Sequence, residues 1–543
     1  MSPIAREPTR DYFLMPIPPT PNGRLHLGHM AGPYLRMDML GRHLRSRGHR
    51  VTVVSGSDGF DSYVVWKGQQ QDRAAEAVVR EYHAQIEQDL AALDIEVHDF
   101  LNVVDGPLAE RHAEAARATV AALVAQGSTV TVVEKVPYCP ATDRYIVGAW
   151  LVGNCPACDA GSAGYFCEAC GAHFKPEAMR NPRPRLGDAP IEWRDVESLF
   201  LRISDVDRVL AHNRQAGASS DMIAVIQRYL AAEGPFFRLT APGRWGVSWP
   251  ADRWGNPRVL FEGGWEYSLS CGSRAAEQVG VAHPMRATSG VTTAVSFGID
   301  NAILLLFGST ALMQALPGHK PFDHILTNYF YSLQGAKFST SRLHVIWTSD
   351  IVDKTPATSD AVRYFLAREN PEHGPANFAI EQFVACVNDR LVAGLQTAVE
   401  GALAALPPRA PAPPSAELIG RIEDAVAQLA RALDPHAVTV AAAVRVIEAW
   451  VDARSGAGAD ARSPGDSYAW LACLAYLTAP VMPRFAAALW HALGHDGPVL
   501  RERLLVGAAP RGWSGARPFA PLGLASLAPC LPESLRAELA RHA

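Results

Sequence analysis

Three short stretches hold residue types whose spacing could do chemistry. Cys155, Cys158, Cys167 and Cys170 follow C-x2-C-x8-C-x2-C in "CPACDAGSAGYFCEAC". Two close pairs suit the corners of a tetrahedral Zn(II)–thiolate knuckle, structural because four thiolates leave no open position. The competing readings are a pair of disulfides, disfavoured in a cytoplasmic chain, and a redox C-x-x-C, which needs only one pair. The second stretch, "PPTPNGRLHLGH", passes Pro and Gly and then enters a helix. A helix N-terminus offers free N–H groups and a positive dipole end to phosphate. His26 and His29 are three apart, so both imidazoles can face one anion, and Gly28 lets a nucleotide approach the backbone. Taken alone, H-x-x-H also fits a polar helix start or two metal ligands. The third stretch, "GAKFSTSR", reads as a phosphate-gripping loop with a single lysine, Lys337. Phosphoryl and nucleotidyl transfer depend on positioning and charge neutralisation, which the second and third stretches together could supply.

The elements around them must bring these stretches together. "DYFLMPIP" reads as a strand, "GHMAGPYLRMDMLGRHLRSRG" as a helix ending at Gly48, and "VTVVSGSD" as a buried strand. This is βαβ grammar, with ligands expected at the strand C-termini of a parallel sheet. Helices are expected over 72–93 and 108–126, the cysteine knuckle next, and βα patterning again over 245–346. Beyond Asp360 the chain reads as helical, interrupted by the stiff "PPRAPAPP" and the flexible "RSGAGADARSPGDS". With 543 residues, 48% hydrophobic and 19% charged, the chain is globular and multidomain. The N-terminus lacks the apolar core of a secretory signal, and the 15-residue run from Ala302 is shorter than the ~20 a bilayer span needs. A cytoplasmic protein with no membrane partner is expected. The net charge of −5 argues against a strongly basic nucleic-acid binder. From Asn377 onward there is no lysine, and 14 arginines face 15 acids, so bulk charge would not hold RNA there.

The motifs in order carry a resemblance. "HLGH" is similar to the HIGH motif and "KFSTS" to the KMSKS motif of class I aminoacyl-tRNA synthetases. The series "NGRLHLGHM", "GHRVTVVSGSD", "VPYCP", the cysteine knuckle, "WGVSWP", "FGIDNAILLLF", "KFSTSR" and "DAVRYFLAREN" resembles the methionyl branch along almost the whole chain. The resemblance implies an α/β fold: a Rossmann catalytic domain (1–105 and 245–346) split by a zinc-bearing insertion (106–244). A stem-contact segment (347–376) and an all-α anticodon-binding-like bundle (377–543) would follow. It implies ATP and Mg(II) as reactants, structural Zn(II), and an aminoacyl-adenylate product. By the same resemblance His26, His29 and Lys337 would be catalytic, contacting phosphates. ATP would also meet Asn22, Gly23, Gly28, Asp300, Ser339 and Ser341, with Asp300 on the ribose. Asp58 would hold the substrate ammonium. Without this context, Asp58 and Asp300 would read as ordinary turn or cap residues.

Departures from the family concentrate at the amino acid. Where methionyl enzymes carry a pocket tyrosine, this chain has Thr20; where they carry a pocket tryptophan, a gapless alignment puts Glu262, with an aromatic moved to Trp265. Leu305 and Ser309 replace a histidine and a tryptophan, and the loop after the second strand reads "DGFD". A pocket stripped of aromatic walls would not prefer methionine, since such contacts outweigh the ~1–3 kcal/mol of a methylene. A carboxylate from Glu262 would want a cationic or hydroxylated partner. Thr340 takes the place of the loop's second lysine, which implies slower or retuned activation. In the bundle Asn388 and Leu391 match the family, while Trp450 reads as a core residue sooner than an anticodon-stacking one. The expected function is therefore activation of an amino acid or related carboxylic acid by ATP, with transfer to tRNA. The alternatives are a ligase serving a small-molecule amine and an inactive RNA-binding relative.

Overall fold

The computed structural model describes residues 7–167, 169–185, 187, 189–340, 342–454, 463–513 and 517–542. Five strands, β1 (Asp11–Pro16), β2 (Arg50–Ser57), β3 (Asp99–Asn102), β4 (Thr292–Gly298) and β5 (His324–Asn328), form one parallel sheet. Their order is β5-β4-β1-β2-β3. That is the doubly wound order, with the strand sequence reversing between β1 and β4, where ligands of such sheets bind. Tyr12 pairs with Val51 on one side and Thr292 on the other, which fixes the register.

Strand alternation divides the hydrophobic residues between two cores. Tyr12, Leu14, Val51, Val53 and Leu326 face one cluster; Phe13, Met15, Val54, Val295 and Ile325 face the other. The first cluster continues without a break through the C-terminal helices as far as Leu535, crossing the boundary expected near residue 377. The second fills the space between the sheet and the segment inserted between β3 and β4. The expected 28–48 helix is interrupted: after Leu27–His29 the chain is π-wound over Met30–Tyr34, and only then becomes helix α1 (Leu35–Ser46). Gly32 leaves helical geometry at ψ −110 and Pro33 supplies no N–H, which together loosen that turn.

The insertion stands on a long antiparallel pair, Thr129–Cys139 with Glu192–Arg202. Its foot is closed by a buried bidentate pair in which Arg238 donates to both carboxylate oxygens of Glu134. The cysteine knuckle sits at the far end, on a small sheet of Leu151–Asn154, Gly161–Ala163 and Arg180–Pro184. Its apolar side packs on Val65 and Trp66 of helix α2 (Ser62–Gln70).

After β5 come helix α3 (Ser359–Arg368) and the bundle, whose helix α4 (Pro464–Thr478) is buried at every position from Ser467 to Thr478. Trp450 lies in that core, 5% exposed, donating its indole N–H to the Trp470 carbonyl. The "PPRAPAPP" stretch forms neither helix nor strand, and residues 455–462 of the second interruption lie outside the described residues. Among the described residues no helix is long and apolar enough to cross a membrane.

Candidate active site

A cleft of about 1610 Å³ opens at the C-terminal ends of β1, β2, β4 and β5. It gathers Thr20, Asn22, Gly23, His26, Gly28, His29, Asp58, Glu262, Asp300, Lys337 and Ser339 along one wall or another. Sequence positions from 20 to 339 thus meet at the point where the strand order reverses. Ser341 lies outside the described residues.

The two histidines are held by the backbone they cap. Gly28 N–H donates to His26 Nδ1 at 3.2 Å, and His26 N–H donates to His29 Nδ1 at 3.2 Å. With Nδ1 accepting on both rings, the proton of each neutral imidazole sits on Nε2. Burial pushes His29 down to about 4; burial, then neighbouring His29 and Lys337, push His26 well below its ordinary value. Both are therefore uncharged N–H donors at neutral pH. The rings stack with centroids 3.8 Å apart, and Phe338 covers His26 at 4.6 Å and 8°. A Cβ on residue 28 would stand 3.0 Å from His26 Cε1 and 3.1 Å from Phe338, so glycine is what lets the loop close on the helix start.

Phe338 is flanked by Lys337 and Ser339. Ala336–Lys337 pairs back on Tyr331–Leu333, and Ser339 and His344 exchange backbone hydrogen bonds across the turn. Arg342 donates through Nε to Ser339 Oγ at 3.2 Å. Lys337 is exposed, its Nζ 5.6 Å from the Phe330 ring. Thr340 lines the same cleft.

Asp300 follows β4 in a short turn, and Gly298 leaves room for it, since a Cβ there would lie 2.5 Å from Asp300 Oδ1. The knuckle reaches this point too: Gly171 abuts Ile299, and His173, 8% exposed, lines the cleft. Asp58 ends β2, and the Tyr267 hydroxyl lies 3.4 Å from Asp58 Oδ1 while donating to the Ser57 carbonyl. Asp61 caps α2 through Tyr63 N–H and accepts from Thr20 Oγ1 at 2.9 Å. Glu262 sits in the loop after Arg258–Leu260, and Glu266 accepts the Gly263 N–H at 3.1 Å.

Three residues expected beside the amino acid lie elsewhere. Trp265 is fully buried and lines a small chamber behind Glu262 instead of the cleft. Leu305 and Ser309 are core residues, and Leu304 lines the cleft in their stead. The segment that carries both, Ile303–Ser309, is π-wound. Conversely, sequence reasoning passed over Glu266, Tyr267 and His173. The first two are one and two residues beyond Trp265 on the same helix start, a signal visible only once "GGWEY" is read as a loop entering a helix.

At the knuckle, all four cysteine sulfurs lie within 4.8 Å of one another, with Cys155–Cys170 at 3.8 Å and Cys158–Cys167 at 3.7 Å. A tetrahedral zinc with bonds of about 2.3 Å sets sulfurs about 3.8 Å apart, so the donors fit that ion.

The doubly wound sheet, the paired histidines at a helix start and the lysine loop closing over them define a class I synthetase that uses a nucleotide to activate an acid. The family model for tRNA synthetases class I (M) matches residues 16–402, and the chain belongs to that family. It is a ligase that consumes ATP and releases AMP and pyrophosphate. The methionine–tRNA ligase of Dehalococcoides mccartyi is 28% identical over 382 residues, 69% of this chain and 68% of that one. That of Pyrococcus abyssi is 26% identical over 413 residues, 72% of this chain and 56% of that one. Among solved structures, Mycobacterium tuberculosis methionyl-tRNA synthetase in complex with methionyl-adenylate superposes with a TM-score of 0.67 at 19% identity. It is matched over 95% of this chain and 99% of that one.

Proposed function

We propose that this chain activates an amino acid other than methionine as its adenylate and passes it to tRNA. The observation that carries the reading is the convergence of His26, His29, Lys337, Asp58 and Asp300 on one cleft. An oxygen of the substrate carboxylate attacks the α-phosphorus of ATP. The bond from that phosphorus to the bridging oxygen breaks, and pyrophosphate leaves with the electron pair. Charge builds on the phosphate oxygens, where the Nε2–H donors of His26 and His29 and the Lys337 ammonium would meet it. Asp300 would hold the ribose and Asp58 the substrate ammonium. Mg(II) arriving with the nucleotide adds to the charge neutralisation, and the four cysteines would hold a structural Zn(II).

Selectivity away from methionine is supported by Thr20 and Glu262 on the cleft wall. A thioether beside Glu262 would leave a desolvated carboxylate without a partner. The acceptor has a second reading, a small-molecule amine. It is favoured by the bundle, where Asn388 exchanges two hydrogen bonds with the Leu522 backbone and Trp450 is committed to packing.

Pyrophosphate exchange with each amino acid in turn, followed by transfer with and without total tRNA, tests both. Exchange with a non-methionine substrate and charging of tRNA is the expected result. Exchange with methionine alone would overturn the selectivity, and exchange without charging would move the acceptor to an amine. Changing Lys337 to alanine should lower kcat for exchange by about 10²–10³, the usual loss for one charge-stabilising donor. An unchanged kcat would remove Lys337 from the site.

A further inference from the structure

The inner end of the cleft gathers more carboxyl groups than one α-ammonium can pair with. Asp58, Asp61 and Glu262 line it, and Glu266 lies immediately behind Glu262. Asp61 is tied to Thr20 and to the start of α2, Glu266 to the Gly263 N–H, and Asp58 to the Tyr267 hydroxyl. Glu262 shares a hydrogen bond with Asp58, but its Oε1 is enclosed and has no partner. Three of the arginines that line the cleft are engaged elsewhere. Arg24 pairs with Asp89 and Asp350, Arg144 stacks on Trp150, and Arg185 donates to the Ala149 carbonyl.

Glu262 also forms one side of the chamber behind it, a space of about 10 Å³ lined by Phe60, Trp265, Glu266 and Tyr267 among others. That is room for one group of water size. Trp265, fully buried there, has an indole N–H without an acceptor, so two polar side chains meet at an unfilled spot. The mutual repulsion shows in the acids themselves. Burial, then Asp58, raises Glu262 well above its ordinary value; burial, then Asp61, does the same to Asp58; burial lifts Glu266 to about 7.

Resting on the adenylate reading above, we propose that the site takes an amino acid with a second ammonium group on its side chain. The α-ammonium sits at Asp58 and the side-chain ammonium reaches Glu262 at the mouth of the chamber, with Glu266 behind it. Aromatic rings around a small cation add attraction through their π-systems. A side-chain hydroxyl could bond both Glu262 and Trp265, but it could not take the place of the proton that Glu262 and Asp58 share. An ionic hydrogen bond to a desolvated carboxylate is about twice as strong as a neutral one, so the charge decides.

The test is a panel of 2,4-diaminobutyrate, ornithine and lysine against homoserine, norvaline and methionine. Binding is read by calorimetry without ATP, and activation by pyrophosphate exchange. The diamino acids should exceed their neutral counterparts by at least about 30-fold in kcat/KM, in keeping with a site built around a polar partner. Glu262→Gln should shrink that ratio at least tenfold; should the variant not fold, the wild-type panel alone decides. A neutral acid exchanging as well as the diamino acids, homoserine included, overturns this proposal and leaves the adenylate reading standing. Selective binding of diamino acids without exchange supports the pocket and overturns the activation reading. No binding of any diamino acid overturns the proposal outright.

Discussion

At the scale of single residues, the site pairs two kinds of titrating group that behave oppositely. His26 and His29 are already neutral well above their depressed values, so the phosphate end should not titrate near neutrality. The carboxylates at the other end hold protons unusually far up the pH scale, with Glu266 at about 7. An acid raised by folding contributes stability that is full below its unfolded value of 4.5 and lost as pH rises through about 7. Only its deprotonated form attracts a cation. The kcat/KM for the amino acid should therefore climb through about pH 7, and Glu266→Gln should flatten that limb, while kcat/KM for ATP should not share it. An amino-acid profile flat from roughly pH 6 to 8 would take these carboxylates out of the substrate's path. The two histidines and Lys337 were legible because motif spacing names them. Glu262 was legible as an anomaly. Leu305 and Ser309 lie in the core beside the cleft, a placement that depends on tertiary packing.

Among the elements, strands and long helices follow from their patterning. The expected helices over 72–93 and 108–126 are Ala75–Ala92 and Ala109–Ala125. The π-wound segments at Met30–Tyr34 and Ile303–Ser309 are too short to show their wider period, so they read as ordinary helix, although Gly32-Pro33 was a visible break. The knuckle is the opposite case, fully written in cysteine spacing, while its seat against α2 and Ile299 is purely tertiary. If the four thiolates share one zinc, as proposed, Cys158→Ser should drop it from about one per chain to near zero by elemental analysis, with faster proteolysis between 151 and 184. Full metal retention in that variant would show the sulfurs hold no shared ion.

For the whole molecule, one buried arginine fastens the halves together. Arg363 of α3, 0% exposed, donates to Asp38 of α1 at 2.6 Å and to the carbonyls of Leu93, Pro480 and Val481. Arg42 also holds Asp38, at 2.8 Å; burial pushes that carboxyl up, but the two guanidiniums outweigh it and leave it below its usual range. Arg363→Ala should cost about 3 kcal/mol, at the low end for breaking a buried pair because Arg42 remains. Chemical denaturation of the variant checks this, and a loss below about 1 kcal/mol would place the pair among surface-like ones. None of these partners was legible in sequence, since they lie 117 to 325 residues apart. The same fastening bears on descent. A lineage that ceased to read anticodons could not shed its tail, because cutting it away would strip Arg363 of two acceptors and lay open the apolar side of the catalytic sheet. The presence of the bundle is thus accounted for by packing whether or not it meets RNA.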